Sequence, residues 1–555
     1  MKNGVFRTIV IVLVSAAFWA GGCSKSPSTP APPATFQSKS SAIPGFDDGK
    51  RIRVKNRTPA AEFSFSAPID RATVNTSVSL KGAGGVNVPY NATYKKSDSV
   101  LVIQPASPLA GLTEFTITVA TGLKGTNDAT LQNAVTLKFM SPIDSSDKFA
   151  VITDSALLTL VQQQTFKYFW DFGHPVSGLA RERNSSGETV TSGGSGFGIM
   201  SLVVGVQRGF ITRAEGLARM QKIVAFLKNT ADRFHGAYPH WLNGTTGDVQ
   251  PFSNKDNGAD LVETSYLIAG LLSARQYFNL ADPGETTLRN DINTIWQGVE
   301  WDWFRKGSEN VLYWHWSPDF NWEMNHPVRG WNECLITYVL AAASPTHSIP
   351  KIVYDNGWAR NGQILNGSTY TGHTLPLGES FGGPLFFAHY SFLGINPQQL
   401  TDAYANYWTQ NRAHSLIHYD YCRTNAQWYG YSESNWGLTA SDDISGYKAH
   451  SPTNDNGVIS PTAALSSFPY TPEESMKALR FFYYKLGDKL WGQYGFYDAF
   501  SLHEPWFASS TLAIDQGPII VMMENYRTGL LWNLFMSCPE VKTGMTTLGF
   551  QSPHL

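Results

Sequence analysis

The hydrophobic period changes once along this chain, near residue 145, and that change limits the fold to two modules. Before it, apolar residues alternate in short runs such as Phe63-Ser-Phe65, Ser77-Val-Ser-Leu80, Val100-Leu-Val-Ile103 and Phe115-Thr-Ile-Thr-Val119. Gly, Asn and Pro turns separate the runs, which predicts a small all-β sandwich over residues 43–143. Ser145-Ser-Asp147 begins a linker, and from about residue 150 the spacing is helical. Leu157, Leu158, Val161 and Phe169 fall on one side of a first helix. Thr212-Arg-Ala-Glu215 and Thr471-Pro-Glu-Glu474 have the capping-box pattern and predict helices through residue 227 and over 476–486. Further helices are predicted over 258–278, 287–304, 333–343, 399–408 and 518–535. The fold class is therefore mainly α. About 400 residues of helices joined by long, aromatic, polar loops suit an (α/α)6 toroid over residues 150–555, at roughly 34 residues per helix.

The ends and the composition narrow the setting. Lys2 and Arg7 precede an apolar run, Thr8 to Ala20, too short for a permanent span, so residues 1–22 read as an export signal. Ala20-Gly-Gly-Cys23 resembles a lipoprotein cleavage site with Cys23 as the lipidated residue. Ala20 stands where such sites usually carry Leu, so ordinary secretion is the alternative. Residues 23–42, rich in Ser, Pro and Ala, read as a flexible tether. The expected location is the periplasm or the outer membrane of a Gram-negative bacterium. Cys334, Cys422 and Cys538 are widely spaced and odd in number, which argues for buried thiols, with one possible disulfide, and against a zinc site. Net charge is −2, with 15% charged and 13% aromatic residues, 17 of them Trp. That balance favours neutral polar ligands such as sugars over nucleic acid or an anionic membrane surface. No cofactor and no metal are expected, membrane contact is through the lipid alone, and the chain reads as a monomer.

One stretch concentrates acids ahead of an apolar segment. Asp256, Asp260 and Glu263 would lie within roughly 60° on a helix that continues as Tyr266 to Phe278. Repulsion and burial push carboxyl pKa values apart, which suits acid–base catalysis. The plainer reading is a set of first-turn acids complementing the helix dipole. Glu333, in Arg329-Gly-Trp-Asn-Glu333, opens another apolar helix in the same manner. The surrounding loops are rich in Trp, Tyr and His. Trp316, Trp331, Trp436 and Tyr447 are candidates for stacking on sugar rings. Glu182, Arg183, His240, His389 and Asp442 are candidate polar contacts to substrate. Asp498, Asp515 and Glu524 are acids for which a structural pairing, for instance Glu524 with Arg527, is at least as good a reading. The Gly run Ser192-Gly-Gly-Ser-Gly-Phe-Gly198 lacks a preceding strand and a P-loop lysine, which argues against phosphate binding.

The first module resembles a bacterial Ig-like domain through Phe65-Ser-Ala-Pro-Ile69, Leu101-Val-Ile-Gln-Pro105 and Leu137-Lys-Phe-Met-Ser-Pro142. From about Val151 to Phe550 the chain resembles the glucoamylase-like family of bacterial β-1,2-glucanases, glycoside hydrolase family 144. Asp256-Asn-Gly-Ala-Asp-Leu-Val-Glu-Thr264, Gly330-Trp-Asn-Glu333, Trp436-Gly-Leu-Thr-Ala440, Tyr494-Gly-Phe-Tyr-Asp-Ala-Phe500 and Ile514-Asp-Gln-Gly-Pro-Ile519 with Glu524-Asn-Tyr-Arg527 carry the match. The resemblance implies a toroid that hydrolyses β-1,2-glucan with inversion, with Asp256, Asp260, Glu263 and Glu333 as its essential acids. The alternatives are a glycan-binding lipoprotein without turnover and a hydrolase or lyase of another polysaccharide.

Overall fold

A computed structural model describes residues 34–555, so the export signal and Cys23 lie outside the described residues. The chain divides into two compact units at Ile143/Asp144.

The first unit holds strands β1 (Ser38–Ala42), β2 (Gly45–Asp47), β3 (Ile52–Val54), β4 (Ala61–Phe65), β5 (Val78–Lys81), β6 (Tyr90–Lys95), β7 (Val100–Pro105), β8 (Glu114–Val119) and β9 (Val135–Met140). They form two sheets, in the orders β1-β4-β7-β6 and β2-β3-β9-β8-β5. Alternate residues point inward, so Phe63, Phe65, Leu101, Ile103, Phe115, Ile117 and Phe139 make one core. The tether is shorter than its composition implies. Phe36 is fully buried, and β1 pairs with β4 as an edge strand. β1 buries almost none of its Ser and Lys side chains, so its sequence reads as linker while its backbone completes a sheet.

In the second unit we name α1 (Asp154–Trp170), α2 (Ser192–Gln207), α3 (Arg213–Asn229), α4 (Leu261–Tyr277), α5 (Pro283–Gln297), α6 (Leu335–Ala343), α7 (Tyr407–Thr424), α8 (Pro472–Arg480), α9 (Ala513–Thr528) and α10 (Leu530–Met536). α2, α4, α6 and α9 are buried over most or all of their circumference, as apolar helices of an inner layer must be. α2 packs between α4 and α9. A Cβ on Gly196 would stand 2.2 Å from the Tyr266 carbonyl oxygen, and one on Gly270 would stand 2.3 Å from that of Gly196. The two glycines thus let α2 and α4 approach backbone to backbone. α3 and α5 are amphipathic, and the capping box of Thr212 and Glu215 is formed. Among the described residues no helix is long and apolar enough to cross a membrane.

Several predicted elements differ. The Gly run does have a strand before it: it follows strand Thr189–Thr191 and forms the first turns of α2. Residues 399–406 are not helical. Gln399 has positive φ, and Asn406 caps α7 instead. The helix predicted over 287–304 is α5, capped by Asp282 and stopped at Gly298. The one over 518–535 is broken by Gly529 in the left-handed region. Thr471 precedes α8 without a capping box, because its hydroxyl donates to the Ser467 carbonyl. Cys334, Cys422 and Cys538 are buried free thiols.

Candidate active site

The acids do converge, though not along one helical face. Asp256 lies in a turn before the helix, where Asn257-Gly258 breaks the periodicity. Asp260 sits in a short strand, Ala259–Asp260, paired with His315–Trp316. It is also the N-cap of α4, where Oδ1 accepts the Glu263 N–H at 2.9 Å. Its Oδ2 pairs with His240 Nδ1 at 3.0 Å. His315 Nε2 lies 3.5 Å from Asp256 Oδ2 and 3.6 Å from Asp260 Oδ2. Glu263 stands in the first turn of α4, and its Oε2 accepts the Gly193 N–H at the start of α2, at 2.9 Å. Glu333 precedes α6, and its carbonyl accepts the Tyr266 hydroxyl at 3.4 Å and the Ser391 hydroxyl. Tyr266 lies within electrostatic reach of both Glu263 and Glu333.

Burial and mutual repulsion divide these carboxyls. Burial, then the neighbouring Asp260, holds Asp256 up at about 7. Burial lifts Glu333 to about 7 and raises Glu263. Burial also opposes ionisation of Asp260, but hydrogen bonding to His240 and the nearby imidazoles reverse this and leave it below its ordinary value. Burial would lower His240, yet Glu263, Asp260 and Asp256 together raise it to about 9. Burial takes His315 down to about 4, so it is neutral. Among the described residues, Asp256 Oδ1 and His315 Nδ1 are buried without a hydrogen-bond partner. Ligand atoms of His240, Asp256 and Asp260 lie within 4.8 Å of one another. In this arrangement His240 Nδ1 is taken up by Asp260 Oδ2, which makes the three groups an ion-paired cluster.

A second cluster lines a groove of about 530 Å³. Arg183 is held between Glu182 (Nε–Oε2, 2.8 Å) and Asp442 (Nη1–Oδ1, 3.0 Å). Tyr447, 46% exposed, and Trp506 also line this groove. A larger groove of about 880 Å³, between Asp154, Pro472, Arg480 and Arg527, holds none of these acids.

Trp316 and His240 belong to the site, half-buried, with His240 packed on Phe252 at 4.2 Å between ring centroids. Three predicted contacts do not. Trp436 is fully buried and donates to the Glu474 carbonyl. Trp331 packs among Trp358, Phe392 and Tyr407. His389 is buried on Ser467 and Tyr470. None of these three has a free ring face for a sugar. Glu524 is structural, but its partners are Arg208 and Gln162 rather than Arg527. His315, one of the scattered histidines that read from the sequence as hydrogen-bonding groups near sugar hydroxyls or as core, joins the cluster through its place in Tyr313-Trp-His-Trp316.

The Glycoamylase family model matches residues 325–539, and the bacterial Ig-like domain model matches residues 50–141. An exo-β-1,2-glucooligosaccharide sophorohydrolase of Parabacteroides distasonis is 48% identical over 417 residues, covering 71% of this chain. The chain spans 58% of that relative's length. The crystal structure of a β-1,2-glucanase from Parabacteroides distasonis, 38% identical, covers 93% of this chain and 74% of its own, with a TM-score of 0.70. An endo-β-1,2-glucanase from Chitinophaga pinensis, solved with sophorotriose and glucose, is 55% identical with a TM-score of 0.71, over 73% of this chain and 100% of its own. With that identity along the whole of one such enzyme, and with buried Asp256, Asp260 and Glu263 clustered at the start of α4, the chain belongs to the glucoamylase-like family of bacterial β-1,2-glucanases, glycoside hydrolase family 144.

Proposed function

We propose that this chain hydrolyses β-1,2-glucan to sophoro-oligosaccharides, with inversion, on an (α/α)6 toroid formed by residues 150–555. One observation carries the reading. Asp256 and Glu333 are both held near a pKa of 7, beside an Asp260 whose charge His240 balances. Such carboxyls exchange protons at neutral pH, which a binding protein does not require. The buried helices α2, α4, α6 and α9 support the toroid reading.

Glu333 is the proton donor in this scheme. It forms no ion pair among the described residues, and burial keeps it protonated near neutrality. Its proton passes to the glycosidic oxygen as the C1–O bond breaks. Asp256, with Oδ1 free, takes the proton of the water whose oxygen bonds to C1. An inverting pair stands about 6.5–9.5 Å apart to admit that water. Both oxygens of Asp260 are engaged, so it orients His240 and Glu263 rather than reacting. Glu182, Arg183, Asp442, Tyr447, Trp316 and His240 contact the sugar chain. The protein acts as an exported monomer anchored through Cys23, which loss of palmitate labelling in Cys23→Ser tests.

The experiment is digestion of linear β-1,2-glucan by the wild type, Glu333→Gln and Asp256→Asn. Short β-1,2-oligosaccharides appearing first as the α-anomer are expected from the wild type. Glu333→Gln should lose most of its rate on the glucan and keep it toward aryl sophorosides, whose leaving group needs little acid assistance. Asp256→Asn should recover with azide. No release from β-1,2-glucan by the wild type, with release from another glucan, overturns the linkage.

A further inference from the structure

Behind the groove wall lies a pair of acids that this scheme leaves unused. Asp498 and Asp515 are each 2% exposed. Asp515 stands in the first turn of α9, and Asp498 in the Tyr494–Phe500 segment. Asp498 Oδ2 accepts the Asp442 N–H at 2.6 Å. Its Oδ1, and Oδ2 of Asp515, are buried with no donor among the described residues. The two carboxyls are neighbours within hydrogen-bonding reach, and a proton on one would supply the donor that these two buried oxygens lack. Two bare carboxylates would repel with nothing between them.

The groups facing the pair are few. Asp442 and Arg183 act on both carboxyls, Tyr447 on both, and Tyr390 on Asp515. No cation touches either carboxyl directly among the described residues, and Arg183 is already bracketed by Glu182 and Asp442. The groove wall therefore carries two carboxylates against one guanidinium. A further charge in the pair would add to an excess that is already negative. The pair also adjoins the catalytic cluster. Tyr390 interacts with Asp515, Glu263 and Glu333 alike. On α2, a Cβ at Gly193 would meet Glu263, while one at Gly194 would meet Ala513, two residues before Asp515.

We propose that Asp498 and Asp515 share one proton as a positioning pair, holding Asp442 and Arg183 so that the groove takes a neutral glucosyl unit of the substrate chain. This rests on the groove being part of the substrate cleft. Loss of the shared proton places a second charge behind Asp442 and disturbs its N–H contact, so binding weakens as pH rises. Burial holds Asp498 up at about 7 and raises Asp515 well above its ordinary value, which sets the window at and above neutrality. The wall's net negative charge also disfavours an anionic uronate in this groove.

The test is KM for β-1,2-glucan between about pH 5 and 9, in wild type and Asp515→Asn. Asn mimics the protonated carboxyl at every pH. The wild-type KM should rise about threefold or more above neutrality, and the variant's should stay flat. A purely structural role would shift KM without changing its pH profile. An alkaline rise that persists in Asp515→Asn, or that is absent from the wild type, overturns the proposal. Should Asp515→Asn not fold, Asp498→Asn makes the same prediction. Should the wild type cleave no β-1,2-glucan, the function above is wrong, and the pair is judged by melting alone. Because the folded pKa of Asp498 is raised, wild-type stability falls as pH rises toward about 7, and Asp498→Asn should lack that part of the fall. Parallel melting curves then refute the shared proton.

Discussion

Gly193→Ala tests whether the start of α2 exists to seat Glu263. A Cβ on residue 193 would stand 2.2 Å from Glu263 Oε2, and 2.9 Å from both Glu263 Cδ and Tyr266 Cδ2. Ordinary contact is about 3.5 Å, so the carboxyl must retreat by on the order of 1 Å. That retreat breaks the 2.9 Å hydrogen bond from the Gly193 N–H. The lost bond costs about 1–3 kcal/mol and the overpacking about 1–3 kcal/mol. Better helix propensity returns only about 0.5–1 kcal/mol. The net destabilisation is thus roughly 3 kcal/mol. The kinetic effect is of similar size, because displacing by about 1 Å an acid that lines the reacting pair costs on the order of 100-fold in kcat, about 2.7 kcal/mol. Gly205→Ala is the control on the same helix. Its Cβ would stand 2.4 Å from Phe166 Cε2, far from any acid of the site. Melting temperature and initial rates on β-1,2-glucan separate the two. Both variants should melt lower, and only Gly193→Ala should lose turnover. Wild-type kcat in Gly193→Ala, or an equal kcat loss in Gly205→Ala, refutes the seating argument.

Further outcomes follow from the site. His240 is raised from 6.5 to about 9, so its contribution is fully present below about 6.5 and is lost as pH rises through 9. The stability gap between wild type and His240→Asn should therefore shrink over that window, by on the order of 3 kcal/mol, measured by denaturant unfolding at each pH. With Glu333 required protonated and Asp256 required ionised, kcat/KM should trace a narrow bell near neutral pH. Glu333→Gln should lose about 10²–10⁴-fold in rate, and its residual rate should lack the alkaline limb. Trp436→Ala should cost about 3–5 kcal/mol in unfolding with little change in KM, because the ring is core. Tyr447→Ala should raise KM with an unchanged melt.

The sequence made some of this legible for identifiable reasons. The change of period and the Thr212–Glu215 box depend on local spacing, and both appear in the fold. Asp256, Asp260 and Glu263 were visible as costly acids, but their geometry was not. Asn257-Gly258 interrupts the helix, and a strand pairing with His315 that no local pattern announces completes the cluster. The Gly run argued against a helix by propensity. Close approach to Tyr266 and Gly270 overrode that preference, which is a tertiary effect invisible to local spacing. Trp436, Trp331 and His389 are residue types shared by cores and sugar clefts, so composition alone could not separate the two.

The helix ends explain how so many acids share one region. Asp260 caps α4 and Glu263 stands in its first turn, while the Gly193 N–H comes from the start of α2. Asp515 occupies the first turn of α9. Each helix N-terminus carries about half a positive charge, enough to favour a nearby carboxylate by about 0.3–1 kcal/mol, or about 2 kcal/mol when partly buried. Desolvating a carboxylate costs several kcal/mol. The dipoles therefore offset part of the cost and leave the rest. Asp260 covers its remainder with His240. Among the described residues Glu263, Asp256, Asp498 and Asp515 have no such cation in contact, and all four are pushed up instead. The acids whose carboxyls are pushed up are thus those given a helix end, or only a turn, without an ion partner. Supplying one tests this. An Arg or Lys able to reach Asp256 should lower its carboxyl and move the acidic limb of the rate profile to lower pH. An unmoved limb would mean that a group other than Asp256 takes the water's proton.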